Sequence, residues 1–232
     1  MEEKQSIKEQ FIDLLMGKSD DEIAQMADQA AVLMAYYRCA ALEIETKFKV
    51  LNEQFSLSKE RNPIESIKTR IKSFPSIREK LHRRSFPMNL DSMRDNLNDI
   101  AGVRVICSFV DDIYMLADCL LQQDDVKLIE KKDYITDPKA NGYRSLHLIV
   151  EIPIYLYNEK RYMRVEVQIR TIAMDFWASL DHQLKYKKEF MDSDEISAEL
   201  KECAEIIAET DARMLAIRQS IEMQGIDIKK DY

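Results

Sequence analysis

The chain has 232 residues, 46% hydrophobic and 33% charged, with four glycines and five prolines, which suits one good core with helical extensions and excludes a disordered or linker-rich protein. No apolar run approaches the ~20 residues of a membrane span, and the polar, acidic start Met1–Gln5 lacks a signal-peptide core, so a cytoplasmic protein is expected. The net charge of −8 is uneven: residues 61–188 carry 22 Lys+Arg against 18 Asp+Glu and the ends 12 against 24, which points to a local anion site rather than a general nucleic-acid surface.

Residues 1–60 read as helical. Phe11, Leu14 and Leu15 form a stripe that Gly17 can stop. Ser19 or Asp20 can cap the next helix, which carries Ile23, Met26, Ala27, Ala30, Leu33, Met34 and Tyr37 at helical spacing and continues through Ile44, Phe48 and Leu51. Residues 61–190 are mixed. Pro63 opens a basic segment in which Ser76 can cap a short helix through Arg84. Val103–Phe109 is a strand candidate, 111–121 a helix and Val126–Lys131 a second strand. A polar loop over 134–143 holds the turn pair Asn141-Gly142. Leu146–Ile152 and Tyr162–Ile169 are further strands, and the short link between them favours an antiparallel pair. Thr171 can cap an amphipathic helix through about Lys187. Within the last segment, 191–232, a helix over 194–222 carries Ile196, Leu200, Cys203, Ile207, Met214 and Ile217 as its stripe, for packing or self-association. The class is α+β: a central mixed β-sheet flanked by helices, with helical N- and C-terminal extensions. The cysteines Cys39, Cys107, Cys119 and Cys203 form no C-x₂-C pair and read as reduced core thiols, not a zinc site.

Several chemistries are absent. There is no G-x-x-x-x-G-K-[ST], no G-x-G-x-x-G and no G-x-S-x-G, and the histidines His82, His147 and His182 do not pair at metal-ligand spacing. Any phosphates must therefore be held by side chains. From Lys68 to Arg84, seven of 17 positions are Lys or Arg, and Pro75 places a turn between the two halves. Such a run is often a solvated face, yet here the charges can converge, as a triphosphate requires. Asp99 stands at the mouth of a strand that carries Arg104. Val165–Arg170 alternates strictly, so Glu166, Gln168 and Arg170 share one face. That face is equally an ordinary solvated one on pattern alone. Two carboxylates meeting across neighbouring strands can hold Mg²⁺ on ATP oxygens, and one can take a proton from an attacking hydroxyl. In the loop before the third strand, Tyr143 can stack on a base while Asn141 reads an edge and Lys139 and His147 touch phosphate. It is otherwise a structural turn with a half-buried tyrosine.

Taken together, Asn98–Arg104, Lys132–Ile135, Lys139–His147, Glu166–Thr171 and Met174–Ala178 are similar to the synthetase domain of the RelA/SpoT family, and to its small single-domain alarmone synthetases, over about residues 60–190. The resemblance implies transfer of the β,γ-pyrophosphate of ATP to the 3′-hydroxyl of GTP or GDP, with AMP released. It implies Asp99 and Glu166 as catalytic carboxylates and Mg²⁺ ligands, and Arg70 and Arg104 around adenine. Lys72, Lys80 and Arg83 or Arg84 would contact the ATP phosphates. Lys139, Asn141, Tyr143, His147 and Gln168 would surround GTP or GDP, with Tyr143 stacking on guanine. A homotetramer without hydrolase activity is expected, with RNA not required although possible as a regulator. Asp181-His182 is a lone pair on a helix, unlike the family's hydrolase metal site. Ser66, Lys68 and Asp175 depart from the residues expected of the product-activated type, which favours the unactivated one. The competing readings are a toxin-like relative acting on tRNA ends or adenine nucleotides, and an inactive RNA-binding regulatory tetramer.

Overall fold

The computed structural model describes residues 20–57, 61–186 and 194–224. The expected first helix around Phe11, with its stop at Gly17 and the cap at Ser19, lies outside these residues. In chain order the elements are α1 (Asp20–Leu57), β1 (Ile64–Ile71), α2 (Phe74–Arg83), α3 (Leu90–Asn96), β2 (Ala101–Cys107), α4 (Val110–Leu121), β3 (Lys127–Asp133), β4 (Leu146–Tyr155), β5 (Lys160–Thr171), α5 (Ile172–Tyr186) and α6 (Asp194–Met223).

The strands form one sheet in the order β1-β2-β5-β4-β3. β2 and β5 run parallel, and every other pair is antiparallel, including the expected β4–β5 hairpin. The sheet is therefore mixed, and its α+β class is as the sequence implied. Alternation along the strands divides the two faces. Val103, Val105, Val165, Val167 and Ile169 are buried in the core together with Ala30, Met34, Tyr37, Ile44 and Phe48 of α1. α1 reaches across β1, β2, β4 and β5, which explains why its apolar stripe persists through nearly the whole helix. The other face carries Arg70, Gly102, Glu166 and, one step along, Lys68, Arg104, Gln168 and His147 in lateral register.

Three elements differ from the sequence expectation here. β1 occupies the start of the basic segment. Its apolar residues Ile64, Ile67 and Ile71 are spaced like a helix because a register irregularity between Ile64 and Ser66 breaks the alternation. The short helix after it starts at Phe74 with Ser73 as its N-cap residue, not Ser76, and Pro75 lies in its first turn. α3, a further helix, is started by Asn89, whose Oδ1 accepts from Ser92 N at 2.7 Å. As expected, Thr171 Oγ1 accepts from Met174 N at 3.1 Å and caps α5.

The stripe of α6 is also shifted. Ala204, Asp211 and Arg218 are its buried residues, whereas Cys203, Met214 and Ile217 are exposed. The helix is held by polar contacts that hydrophobic spacing does not register. Trp177 Nε1 donates to Leu200 O at 2.9 Å, and Thr171 Oγ1 is bonded to Asp211. Arg218 bonds Asp111 of α4 and, like Arg61, lies over the Phe109 ring. All four cysteines are free, as expected; Cys107 is buried and Cys39 packs half-buried against the core, whereas Cys119 is half-buried and Cys203 is exposed, so Cys203 is not a core thiol.

Candidate active site

A cleft of about 800 Å³ opens on the polar face, between the sheet and α5. Arg70, Lys72, Asp99, Arg104, Tyr143, Glu166 and Gln168 line it, as do Arg170, Lys68, Ser179, Asp181 and His182. The register brings these groups together. Gly102 sits between Arg70 on β1 and Glu166 on β5, and Arg104 sits between Lys68 and Gln168.

At one end Asp99 precedes β2. Lys72, just after β1, and Lys80, on α2, both reach its Oδ2, at 2.6 and 2.7 Å. The two halves of the basic segment thus converge on one carboxylate. Burial alone would raise the Asp99 carboxyl, but the hydrogen bonds and charges of the two lysines outweigh it and hold it below its ordinary value. Its other oxygen, Oδ1, is buried and has no hydrogen-bond partner. Arg83 and Arg84 are exposed at the end of α2 and do not line the cleft.

Around Glu166 the side chains close a ring of hydrogen bonds. Arg170 Nη2 donates to Tyr143 Oη and, at 3.0 Å, to Gln168 Oε1. Gln168 Nε2 donates to Glu166 Oε2 at 2.9 Å. On the other arm Tyr143 Oη meets His147 Nε2 at 2.8 Å, and His147 Nδ1 meets Glu166 Oε1 at 3.1 Å. Because the Glu166 carboxylate can only accept, His147 Nδ1–H donates to it, and in the neutral ring Nε2 then accepts the Tyr143 proton; this tautomer is assigned from the network. Both arms run from the guanidinium to the carboxylate. Burial pushes the Glu166 carboxyl up, yet His147 and Gln168 outweigh it and hold it below its ordinary value; nearby Asp99 acts in the raising direction. The two carboxylates are thus close enough to feel each other.

Tyr143 follows Asn141, whose Oδ1 accepts from Tyr143 N at 3.3 Å and shapes the turn. Lys139 Nζ stands 4.5 Å from the Tyr134 ring centre and 4.6 Å from that of Tyr143. Burial lowers the pKa of Lys139, and the Glu166 charge partly offsets this. The loop is braced from behind by α6: Arg144 Nη1 donates to Gly142 O and to Ala204 O, each at 3.2 Å.

Of the residues singled out from sequence, Asp99, Glu166, Arg70, Lys72, Arg104, Tyr143 and Gln168 share the cleft, and Lys80 and His147 join through Asp99 and Glu166. Asn141 serves the loop backbone, and Lys139 sits against the tyrosines. Sequence reasoning undervalued Arg170, although the alternation of β5 already placed it beside Glu166 and Gln168. Asp181 and His182 line the cleft wall, where they were expected to pack or be solvated.

A mixed sheet whose cleft gathers two carboxylates, converging lysines and arginines and a tyrosine suits the class of nucleotide transferases. The comparisons give the particular family. The description "Region found in RelA / SpoT proteins" matches residues 69–191. The chain is 44% identical over 211 residues to GTP pyrophosphokinase YwaC of Bacillus subtilis (strain 168), covering 91% of this chain and all of that one. It is 34% identical over 186 residues to GTP pyrophosphokinase YjbM of the same organism, covering 80% and 87%. The crystal structure of small alarmone synthetase 1 from Bacillus subtilis bound to its product pppGpp matches with a TM-score of 0.78 at 34% identity, covering 84% and 99% of the two chains. That of small alarmone synthetase 2 matches with 0.74 at 44%, covering 82% and 98%. The chain belongs to the RelA/SpoT family.

Proposed function

We propose that the cleft transfers the β,γ-pyrophosphate of ATP to the 3′-hydroxyl of GTP or GDP. The guanosine 3′-oxygen forms a bond to the β-phosphorus, the bond from that phosphorus to the α,β-bridging oxygen breaks, and AMP leaves. The observation that carries this reading is the convergence of Lys72 and Lys80 on Asp99, within electrostatic reach of an ionised Glu166. The lysines neutralise a carboxylate in the absence of nucleotide and are placed to turn to phosphate oxygens when ATP enters. Arg70 and Arg104, on neighbouring strands, flank the space for adenine. Tyr143 offers its ring to guanine, and Lys139 the charge for its phosphates. Glu166, bonded once on each oxygen, keeps a lone pair for the proton of the 3′-hydroxyl. Most of the acceleration then comes from positioning and charge neutralisation.

The residues also fit Mg²⁺. Asp99 keeps a buried, unpartnered Oδ1, and Glu166 is the neighbouring oxygen donor. Two carboxylates with remaining positions for water and phosphate suit this ion better than a full protein cage. When bound, Mg²⁺ would neutralise charge building up on the transferred group.

The test is transfer of label from γ-labelled ATP with Mg²⁺ to GDP, GTP, ATP or tRNA offered singly. Label on GDP or GTP is the expected outcome; label on tRNA alone would overturn it. Glu166→Gln should lower the rate by about 10²-fold or more, since it removes the proton acceptor.

A further inference from the structure

We propose that Asp175 is a positioning residue that ties the ATP half of the cleft to the acceptor half, by holding Arg104 and Arg170 on one carboxylate oxygen. The proposal rests on the reading of the two halves given above. Arg104 Nη1 and Arg170 Nη1 each donate to Asp175 Oδ1 at 3.2 Å. These arginines come from the two parallel strands: Arg104 lies opposite Gln168, and Arg170 opposite Ile106. They are diagonal neighbours on the same face of the sheet.

The two guanidiniums do different work. The Arg104 side chain is about one-third exposed and lines the space assigned to adenine, whereas that of Arg170 is 5% exposed. Arg170 is the donor from which both arms of the ring around Glu166 start, and it lies 5.0 Å beneath the Tyr143 ring. Left alone, two like charges this close would push the more mobile Arg104 away from the sheet. Asp175 prevents this. It stands one turn into α5, which Thr171 caps directly after β5, so the helix start is rigidly joined to Arg170. Asp175 does not itself line the cleft, and its side chain is 16% exposed. It therefore acts through the two arginines and not on a substrate.

This arrangement predicts a shared effect on two substrates that do not occupy the same part of the cleft. Asp175→Asn keeps the side-chain shape but offers one neutral oxygen to two guanidiniums. Its affinities for a non-hydrolysable ATP analogue and for GDP, each measured alone by calorimetry, should both fall about five- to tenfold, the cost of weakening one charge-assisted bond to each arginine. Arg104→Lys should lower the affinity for the ATP analogue alone, and Arg170→Lys that for GDP. Combining Asp175→Asn with Arg170→Lys should add little to the GDP loss of the single variants, because the two act through one contact. Melting temperatures and circular dichroism of each variant establish that it folds, and Asp175→Ala provides a second route to the same loss. Unchanged affinities in folded Asp175→Asn and Asp175→Ala would overturn the proposal, as would a fall in only one of the two. Wild-type turnover with ATP and GDP is measured separately. Its absence would remove the assigned reaction, while two-ligand binding that fails to respond to Asp175 would remove only the tie.

Discussion

Gly102 lies laterally between Arg70 and Glu166, on the floor of the cleft. A Cβ built there meets Arg70 O at 3.6 Å and Glu166 O at 3.9 Å, which are ordinary contacts. The backbone thus tolerates a side chain, but on the proposed reading of the cleft the space above it is where the two nucleotides meet. Gly102→Leu is expected to fold with a melting temperature close to wild type and to lose about 10²-fold in turnover, because reacting atoms displaced by an ångström forfeit that much. Parallel melting curves and rate measurements check this; a fully active Gly102→Leu would mean the reaction takes place elsewhere. At this scale the sequence was informative where alternation is strict. Val165 to Arg170 placed Glu166, Gln168 and Arg170 on one face without any structure. It misled at Arg83 and Arg84, expected at the ATP phosphates but exposed outside the cleft, because a charged residue near a helix end looks the same whether it points toward a substrate or into water.

Helix α6 carries the second lesson. Its apolar spacing suggested that Cys203, Met214 and Ile217 face inward, yet Asp211 and Arg218 are buried beside Ala204. Periodicity counts hydrophobic residues, and this helix is fastened by bonds to Thr171, Asp111 and the Trp177 indole, which no such count registers. The Asp211 carboxyl is raised above its ordinary value by burial, with the Thr171 hydrogen bond opposing. For an acid raised in the folded state, the stability it contributes is full below its unfolded pKa, near 3.9, and is lost as the pH rises through the folded value. Ionised Asp211 therefore costs stability at neutral pH. Asp211→Asn, which retains an oxygen for the Thr171 hydroxyl, should melt higher than wild type at pH 7.5, and the advantage should vanish toward pH 3.5. A variant less stable than wild type at both pH values would mean that the charge itself is needed. Since α6 braces the Gly142–Arg144 turn, the same substitution should leave the affinity for the acceptor nucleotide unchanged or improved.

Over the whole molecule, Ile172, Phe176, Leu180 and Leu184 recur every fourth residue along α5 and are each 40% or more exposed. An apolar stripe of this kind on a water-facing helix marks an interaction surface. The family resemblance implies a homotetramer, and this stripe is an apolar surface that such an assembly would cover. Light scattering should give about four times the chain mass for wild type and a smaller assembly for Phe176→Asp combined with Leu180→Asp. An unchanged mass in the double variant would exclude the stripe as the interface. The fold class and the order of strands and helices were readable because the middle of the chain alternates cleanly. The edge strand β1 was not, because its irregular start replaced alternation with a helix-like spacing.

The sheet has one parallel pair, and it joins the strand that follows Asp99 to the strand that bears Glu166. Between them the chain must complete α4, β3 and the β4 arm of a hairpin. Closing so long a loop carries an entropic cost, and pairings this distant in sequence form more slowly than a hairpin. The neighbouring β4–β5 hairpin needs only a short turn and can form on its own schedule. During synthesis, a chain that has emerged only as far as β4 already carries Asp99, its lysines and Tyr143, yet has no second carboxylate to set against them. On the proposed roles of Asp99 and Glu166, the site is complete only once the centre of the sheet has closed, and a partly folded molecule is expected not to consume ATP.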